Sequence, residues 1–261
     1  MKITYRQLED SLRRLPGELP DPPKAILLIS GHWKAPAFTV QTNPHPPMLY
    51  DYGGFPEHTY RIQYPAPGSP DLAARVVELL AGAGIPVAED PDRGYDHGMF
   101  APLAAAWPDA EIPVVQLSIK HGYDPDEHLA LGRALTPLRD EGILILGSGL
   151  SYHNLSLMGA ESEVPSREFD DWLGHTILDS PPAERMDRLR RWEQAPSARV
   201  SQPQEDHLIP LMVVVGASEE DPAVRTYHQH DFFGSVTASS FRFGTSTTTA
   251  PTNESKAPAH G

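Results

Sequence analysis

Tyr5, Leu8, Leu12 and Leu15 recur at helical spacing, and Pro16, Gly17, Pro20, Pro22 and Pro23 then predict that the helix stops. Residues 25–30 (AILLIS) form a short continuous apolar run before Gly31, the pattern of a strand buried on both faces. A second β-like stretch covers 37–42. Ser69 followed by Pro70 marks a helix start, Leu72, Val76, Leu79 and Leu80 give its inner stripe, and Gly82 and Gly84 end it. Residues 86–89 read as a strand, 99–106 as a short helix and 113–119 (PVVQLSI) as another buried strand. Asp124-Pro125-Asp126-Glu127 supplies an N-cap, a first-turn proline and an N3 carboxylate for a helix to about residue 139. Residues 142–146 (GILIL) are the next strand.

From 166 to about 193 the pattern is helical, with Phe169, Trp172, Leu173 and Ile177 as the expected inner face. Residues 205–216 predict a further helix, and 235–243 alternate as an edge strand does. This succession of strands and helices predicts one α/β domain over 1–244, with a mainly parallel central sheet covered by helices on both faces. The segment 245–261 (TSTTTAPTNESKAPAHG) is too polar to offset its ordering entropy and is expected to be a disordered tail.

Composition narrows the chemistry. Against 21 Lys and Arg stand 35 Asp and Glu, a formal charge of −14, which repels phosphate backbones and anionic lipid and argues against nucleic acid or membrane partners. No apolar run has the roughly 20 residues of a membrane span, and Lys2 and the polar 5–10 segment do not resemble a secretion signal, so a cytoplasmic protein is expected. With no cysteine, thiolate catalysis and Cys-based metal sites are excluded, and a metal must rest on nitrogen and oxygen. Twelve histidines make that feasible.

Ligands of open α/β sheets bind beyond the carboxyl ends of the strands. His32 follows the 25–30 strand, His97 follows the strand near Val87 within Asp96-His97-Gly98, and His153 follows 142–146. Three strand ends therefore aim imidazole at one rim; the alternative for each is a histidine satisfied by a loop carbonyl. His207, in Glu205-Asp206-His207, opens the 205–216 helix as a further candidate or as a capping residue. His45, His58, His121, His128 and His175 sit in polar or loop contexts and are expected to be solvated. Gly147-Ser148-Gly149 is either an anion cradle or an ordinary turn, and the loop Tyr50-Asp51-Tyr52-Gly53-Gly54-Phe55-Pro56 is either a pocket wall for a planar ring or turn packing. Zinc-protease, Walker and nucleophile-elbow motifs do not occur.

The runs Ile29-Ser30-Gly31-His32-Trp33, Tyr52-Gly53-Gly54-Phe55-Pro56, Tyr64-Pro65-Ala66-Pro67-Gly68-Ser69-Pro70, Asp96-His97-Gly98, Gly147-Ser148-Gly149, His153-Asn154 and Glu205-Asp206-His207-Leu208-Ile209-Pro210-Leu211 resemble, in that order, the class III extradiol dioxygenases, specifically their DOPA 4,5-dioxygenase-like branch. The resemblance implies that His32 and His207 are metal ligands, that His153 joins the metal or stands beside it as acid/base, and that His97 lines the substrate pocket as a proton donor or hydrogen-bond partner. It implies cleavage of a catecholic ring by O2 to a muconic semialdehyde on one divalent metal, Fe(II) for catalysis, with Zn(II) able to take the same ligands. Relatives also carry an amino-terminal strand and a His-Gly-Ser-Pro turn that supplies another ligand, and the sequence starts at the helix that would follow. Weak metal binding and an unpaired sheet edge are the expected consequences, and a catalytically silent relative that binds a metal, small molecule or protein in the same cleft is the alternative function. A metal-dependent hydrolase would need a carboxylate at the metal, for which only Glu205 or Asp206 offers itself.

Overall fold

The computed structural model of the protein describes residues 5–244, so the tail expected at 245–261 lies outside the described residues. A five-stranded sheet of order β3-β2-β4-β1-β5 forms the centre, from β1 (Ala25–Ala35), β2 (Phe38–Gln41), β3 (Val87–Asp90), β4 (Val114–Lys120) and β5 (Ile143–Ser148). β1 pairs in parallel with β4 and β5, and β2 with β3; only β2 against β4 is antiparallel. The mainly parallel sheet is thus as expected. The helices are α1 (Arg6–Glu18), α2 (Pro70–Gly82), α3 (His97–Ala106), α4 (Pro125–Leu135), α5 (Pro137–Asp140), α6 (Glu163–Leu178), α7 (Pro182–Arg190), α8 (Ala198–Ser201) and α9 (Ile209–Gly216). Among the described residues no helix is long and apolar enough to cross a membrane.

Alternation along β1 explains why AILLIS is apolar throughout. Ala25, Leu27 and Ile29 join Val115, Leu117 and Ile119 of β4 in a core closed by α2, α4, α6 and α9, while Ile26 and Leu28 face a second core with Val114, Tyr95 and Met99, Phe100 and Leu103 of α3. A strand covered on both sides needs apolar residues at every position. Each such Ile or Leu, fully withdrawn from water, contributes about 1.5–3 kcal/mol.

Helix starts follow the local chemistry expected of them. The Ser69 side chain accepts from the Leu72 N–H, and Asp124 accepts from the N–H groups of Asp126 and Glu127.

Elsewhere the structure corrects the sequence reading. α1 runs through Pro16 and Gly17 to Glu18, because a proline in the last turn removes only one backbone bond. The helix expected over 166–193 is two helices, parted at Pro181 and Pro182, which cannot continue the α6 ladder. The one expected from 205 begins as a 3-10 turn and becomes α-helical at Ile209. β7 (Val236–Phe243) is not an edge of the central sheet; it pairs antiparallel with β6 (Ala223–Phe232), a strand that the sequence reading missed, in a separate hairpin over Tyr152, Tyr227 and Phe232.

His128, expected to be solvated, is fully buried in α4. Its Nδ1 donates to the Asp124 carbonyl at 2.7 Å and its Nε2 accepts from the Lys120 N–H at 3.1 Å, so the ring is a neutral bridge between α4 and β4. Burial holds its pKa below the ordinary imidazole value of 6.5, and the Asp124 carbonyl opposes this only in part. The unfolded chain takes up the proton as pH falls through 6.5 while the native ring does not, so this contribution to stability is complete above 6.5 and declines below it. Imidazole 15N NMR is expected to find His128 still neutral and protonated at Nδ1 at pH 6; a ring titrating at its ordinary value would contradict this account.

Candidate metal centre

The four singled-out histidines come from four separate segments and meet at one rim. β1 continues beyond Ser30 with a register shift against β4 between Ser30 and Lys34, so His32 sits in an irregular strand extension rather than in a loop. His97 is the first residue of α3, immediately after the N-cap Asp96, and not part of a loop from β3. His153 lies in the loop after β5, its N–H bonded to the Ser201 carbonyl at 2.9 Å, and His207 ends the 3-10 turn before α9. The His32 ring centroid is 3.9 Å from that of His97 and 4.8 Å from that of His207, and His153 stacks on His207 at 3.4 Å. The convergence expected from the strand ends is realised.

Two glycines permit this crowding. A Cβ on Gly98 would meet Ser30 Oγ at 2.5 Å and His32 Cδ2 at 2.9 Å, and one on Gly149 would meet the His207 carbonyl oxygen at 2.2 Å. The Gly147-Ser148-Gly149 turn therefore serves close packing: Gly147 lies against the Pro210 carbonyl, and Ser148 Oγ donates to the Gly98 carbonyl at 2.6 Å.

Asp51 is the residue that sequence reasoning missed. Its Oδ1 accepts from the His97 N–H at 2.9 Å and lies 2.7 Å from His97 Nδ1, and its Oδ2 lies 3.3 Å from His32 Nδ1. A carboxylate accepts, so each neutral ring places its proton on Nδ1 and keeps the Nε2 lone pair free. Burial pushes the Asp51 carboxyl upward, but the bonds from His97 and the proximity of the His97 and His32 rings bring it below its usual range. The one available signal was its place between Tyr50 and Tyr52 in the loop read as a pocket wall. That loop does border the site, with the Tyr52 ring 5.3 Å from His97 and 5.2 Å from Tyr60.

Burial is also the main reason that His32, His153 and His207 titrate below the ordinary imidazole range. His207 is pushed down to about 2 by burial and then by the neighbouring His153, His32 and His97 and by Lys34. His32 and His153 are lowered first by burial as well, with Asp51 opposing at His32 and Asp206 at His153. Neutral imidazole is the form that binds a metal. His207 Nδ1 accepts from the Leu150 N–H at 3.3 Å, a long bond that the ring must give up to ligate: a metal on Nδ1 displaces it, and one on Nε2 moves the ring proton to Nδ1. Asp206, the carboxylate nearest His153 at 4.0 Å, is engaged by Lys34 Nζ at 3.3 Å. Two surface hollows of about 370 and 400 Å3 lie elsewhere, and neither is lined by a rim histidine.

An α/β sheet with an imidazole cluster at its rim and no thiolates offers a metal nitrogen and oxygen donors alone. A family model described as the catalytic LigB subunit of aromatic ring-opening dioxygenase matches residues 4–244, and the chain belongs to this family of extradiol ring-opening dioxygenases, which are oxidoreductases. It is 39% identical over 225 residues to 4,5-DOPA dioxygenase extradiol of Beta vulgaris, covering 85% of this chain and 83% of that protein. Dioxygenase tasH of Hapsidospora irregularis is 38% identical over 222 residues, 78% of this chain and 67% of that protein. The crystal structure of an uncharacterized Escherichia coli K12 protein superposes with a TM-score of 0.75 at 32% identity, covering 90% of this chain and 92% of the other.

If Asp51 orients both Nδ1 atoms, Asp51→Asn is expected to weaken metal binding by about 10–100-fold, measured by competition with a chromophoric chelator. Unchanged affinity would show that the carboxylate does not prepare the rim.

Proposed function

We propose that the protein opens the ring of a catecholic aromatic compound with O2 to give a muconic semialdehyde, using one divalent metal held by His32, His153 and His207. The observation that carries this is the meeting of four imidazoles from four segments beside an aromatic loop, with His32, His153 and His207 held below the ordinary imidazole range first by burial. Donors of this kind fit Fe(II), the ion expected for catalysis, and Zn(II) takes the same ligands because intrinsic affinity does not favour iron. When bound, Fe(II) supplies a Lewis-acid centre for two adjacent hydroxyls and a redox partner for O2.

The chain's own groups supply the rest. Asp51 holds His32 with its Nδ1 proton directed away from the ion, which leaves Nε2 as the donor. His97, fixed by the same carboxylate through both its backbone N–H and its ring, presents Nε2 to accept and return a catechol proton. His153 either completes the ligand set or shares this proton transfer. Tyr52, Tyr60 and the exposed Phe55 form the aromatic wall that orients a planar ring. A small aromatic molecule and O2 are the partners proposed from the family, and the formal charge of −14 disfavours nucleic acid and anionic membrane.

A second ligand set is favoured by one observation: donor atoms of His32, Asp51 and His97 all lie within 4.8 Å of one another. In that arrangement Asp51 leaves its hydrogen bonds to coordinate, in the pattern of two histidines and one carboxylate.

Variants separate the two. His97→Ala is expected to keep metal affinity within about threefold while lowering turnover about 10²–10⁴-fold, the range for a lost acid/base group, whereas His207→Ala is expected to lose the metal. Loss of metal from His97→Ala with retention in His207→Ala would transfer the ion to the Asp51 set. The reaction itself is tested with the iron-loaded chain, catechols and an oxygen electrode: O2 uptake with a new yellow chromophore supports ring opening. Bound iron without uptake for any catechol supports the catalytically silent alternative.

A further inference from the structure

The β6–β7 hairpin holds two histidines that the reaction does not use. Side chains two apart in a strand stand on the same face, which brings His228 and His230 of β6 together. Their Nε2 atoms are 3.1 Å apart and their rings nearly perpendicular at 83°. Two nitrogens at this separation, each about 2.0–2.1 Å from a common ion, subtend about 98° at it, between the octahedral value of about 90° and the tetrahedral value of about 109°.

The surroundings prepare one ring as a donor. His228 Nδ1 lies 2.9 Å from Ser239 Oγ and 3.3 Å from Asp170 Oδ2, and Ser239 Oγ donates to the same carboxylate oxygen at 3.0 Å. A proton on Nδ1 directed at Asp170 leaves the His228 Nε2 lone pair facing His230, the carboxylate-to-imidazole arrangement that orients a metal-binding histidine. Asp170 itself is 1% exposed, and its Oδ1 has no hydrogen-bond partner. Burying this carboxylate is costly, and a cation on the far side of the His228 ring offsets part of that cost by polarising the Nδ1 proton toward Ser239 Oγ and Asp170 Oδ2. His230 is exposed, so water can fill the remaining coordination positions.

We propose that His228 and His230 form a second metal site on this hairpin, taking a late transition-metal dication such as Zn(II) or Cu(II). Two imidazoles with water suit such ions, whereas Ca(II) and Mg(II) require oxygen ligands. The site shares no residue with the rim and does not depend on the ring-opening reaction. It adjoins the rim through the Ser239 N–H, which donates to Ser151 Oγ at 3.1 Å in the loop leading to His153.

The test is the zinc stoichiometry of the full chain, by equilibrium dialysis and elemental analysis, compared with that of His230→Ala. His230 is on the surface, and an unchanged melting temperature would show that the variant is folded. The native chain is expected to bind one equivalent more than His230→Ala, with the affinity of the lost site falling at least tenfold. Asp170→Asn, checked for folding in the same way, is expected to weaken that equivalent by about 10–100-fold. His32→Ala should leave it in place, which keeps failure at the rim distinguishable from failure at the hairpin. Equal zinc binding by native protein and His230→Ala would overturn the proposal and reduce the pair to a hydrogen bond between two imidazoles.

Discussion

The carboxylate of Asp96 is the interaction on which the site depends. It is fully buried and accepts from Ser30 Oγ, Gln116 Nε2 and an Arg93 guanidinium nitrogen, each at 2.8 Å, and from the Met99 N–H at 3.2 Å. These bonds join β1, β4 and the amino end of α3 at one point, where the helix dipole also favours a negative charge. Ser30 Oγ accepts in turn from the His32 N–H at 3.1 Å, and the residue after Asp96 is His97. One buried anion thereby fixes the backbone beneath two rings whose centroids are 3.9 Å apart. Removing one partner from a buried, charge-assisted network of this kind costs about 3–5 kcal/mol. A misplaced rim would accompany the loss of stability.

Above that anchor the rim is a balance of burial and charge. Burial outweighs the nearby carboxylates at His32 and His153, and at His207 burial acts together with the neighbouring histidines and Lys34, so that each lies below the ordinary imidazole range. Asp51 and Asp206 act at short range, the first on His32 and His97 and the second on Lys34 and the His207 N–H. At His32 and His97 the Asp51 carboxylate decides which nitrogen keeps a free lone pair.

Much of this was legible locally. The two-faced burial of β1 and the caps at Ser69 and Asp124 each follow from a few neighbouring residues, whereas His97 was read after a strand and in fact opens α3. The double proline at 181–182 was legible too, but the apolar spacing across it suggested one helix. β6 escaped notice because its inward residues include Gln229, whose buried amide is satisfied by Asp231, so no apolar alternation marks the strand. Asp51 could not be assigned from sequence, since its partner His97 is 46 residues away and only the folded loop brings them together. His128 shows the reverse limit: a polar neighbourhood in sequence became a fully buried bridge once α4 packed on β4.

The four rim histidines are placed to surround one ion. Anomalous diffraction from crystals soaked in Zn(II) or grown anaerobically with Fe(II) tests it directly. A peak is expected about 2.0–2.2 Å from a nitrogen of His32 and from at least one neighbouring rim donor. Metal bound elsewhere in the crystal, with no density among His32, His97, His153 and His207, would contradict it.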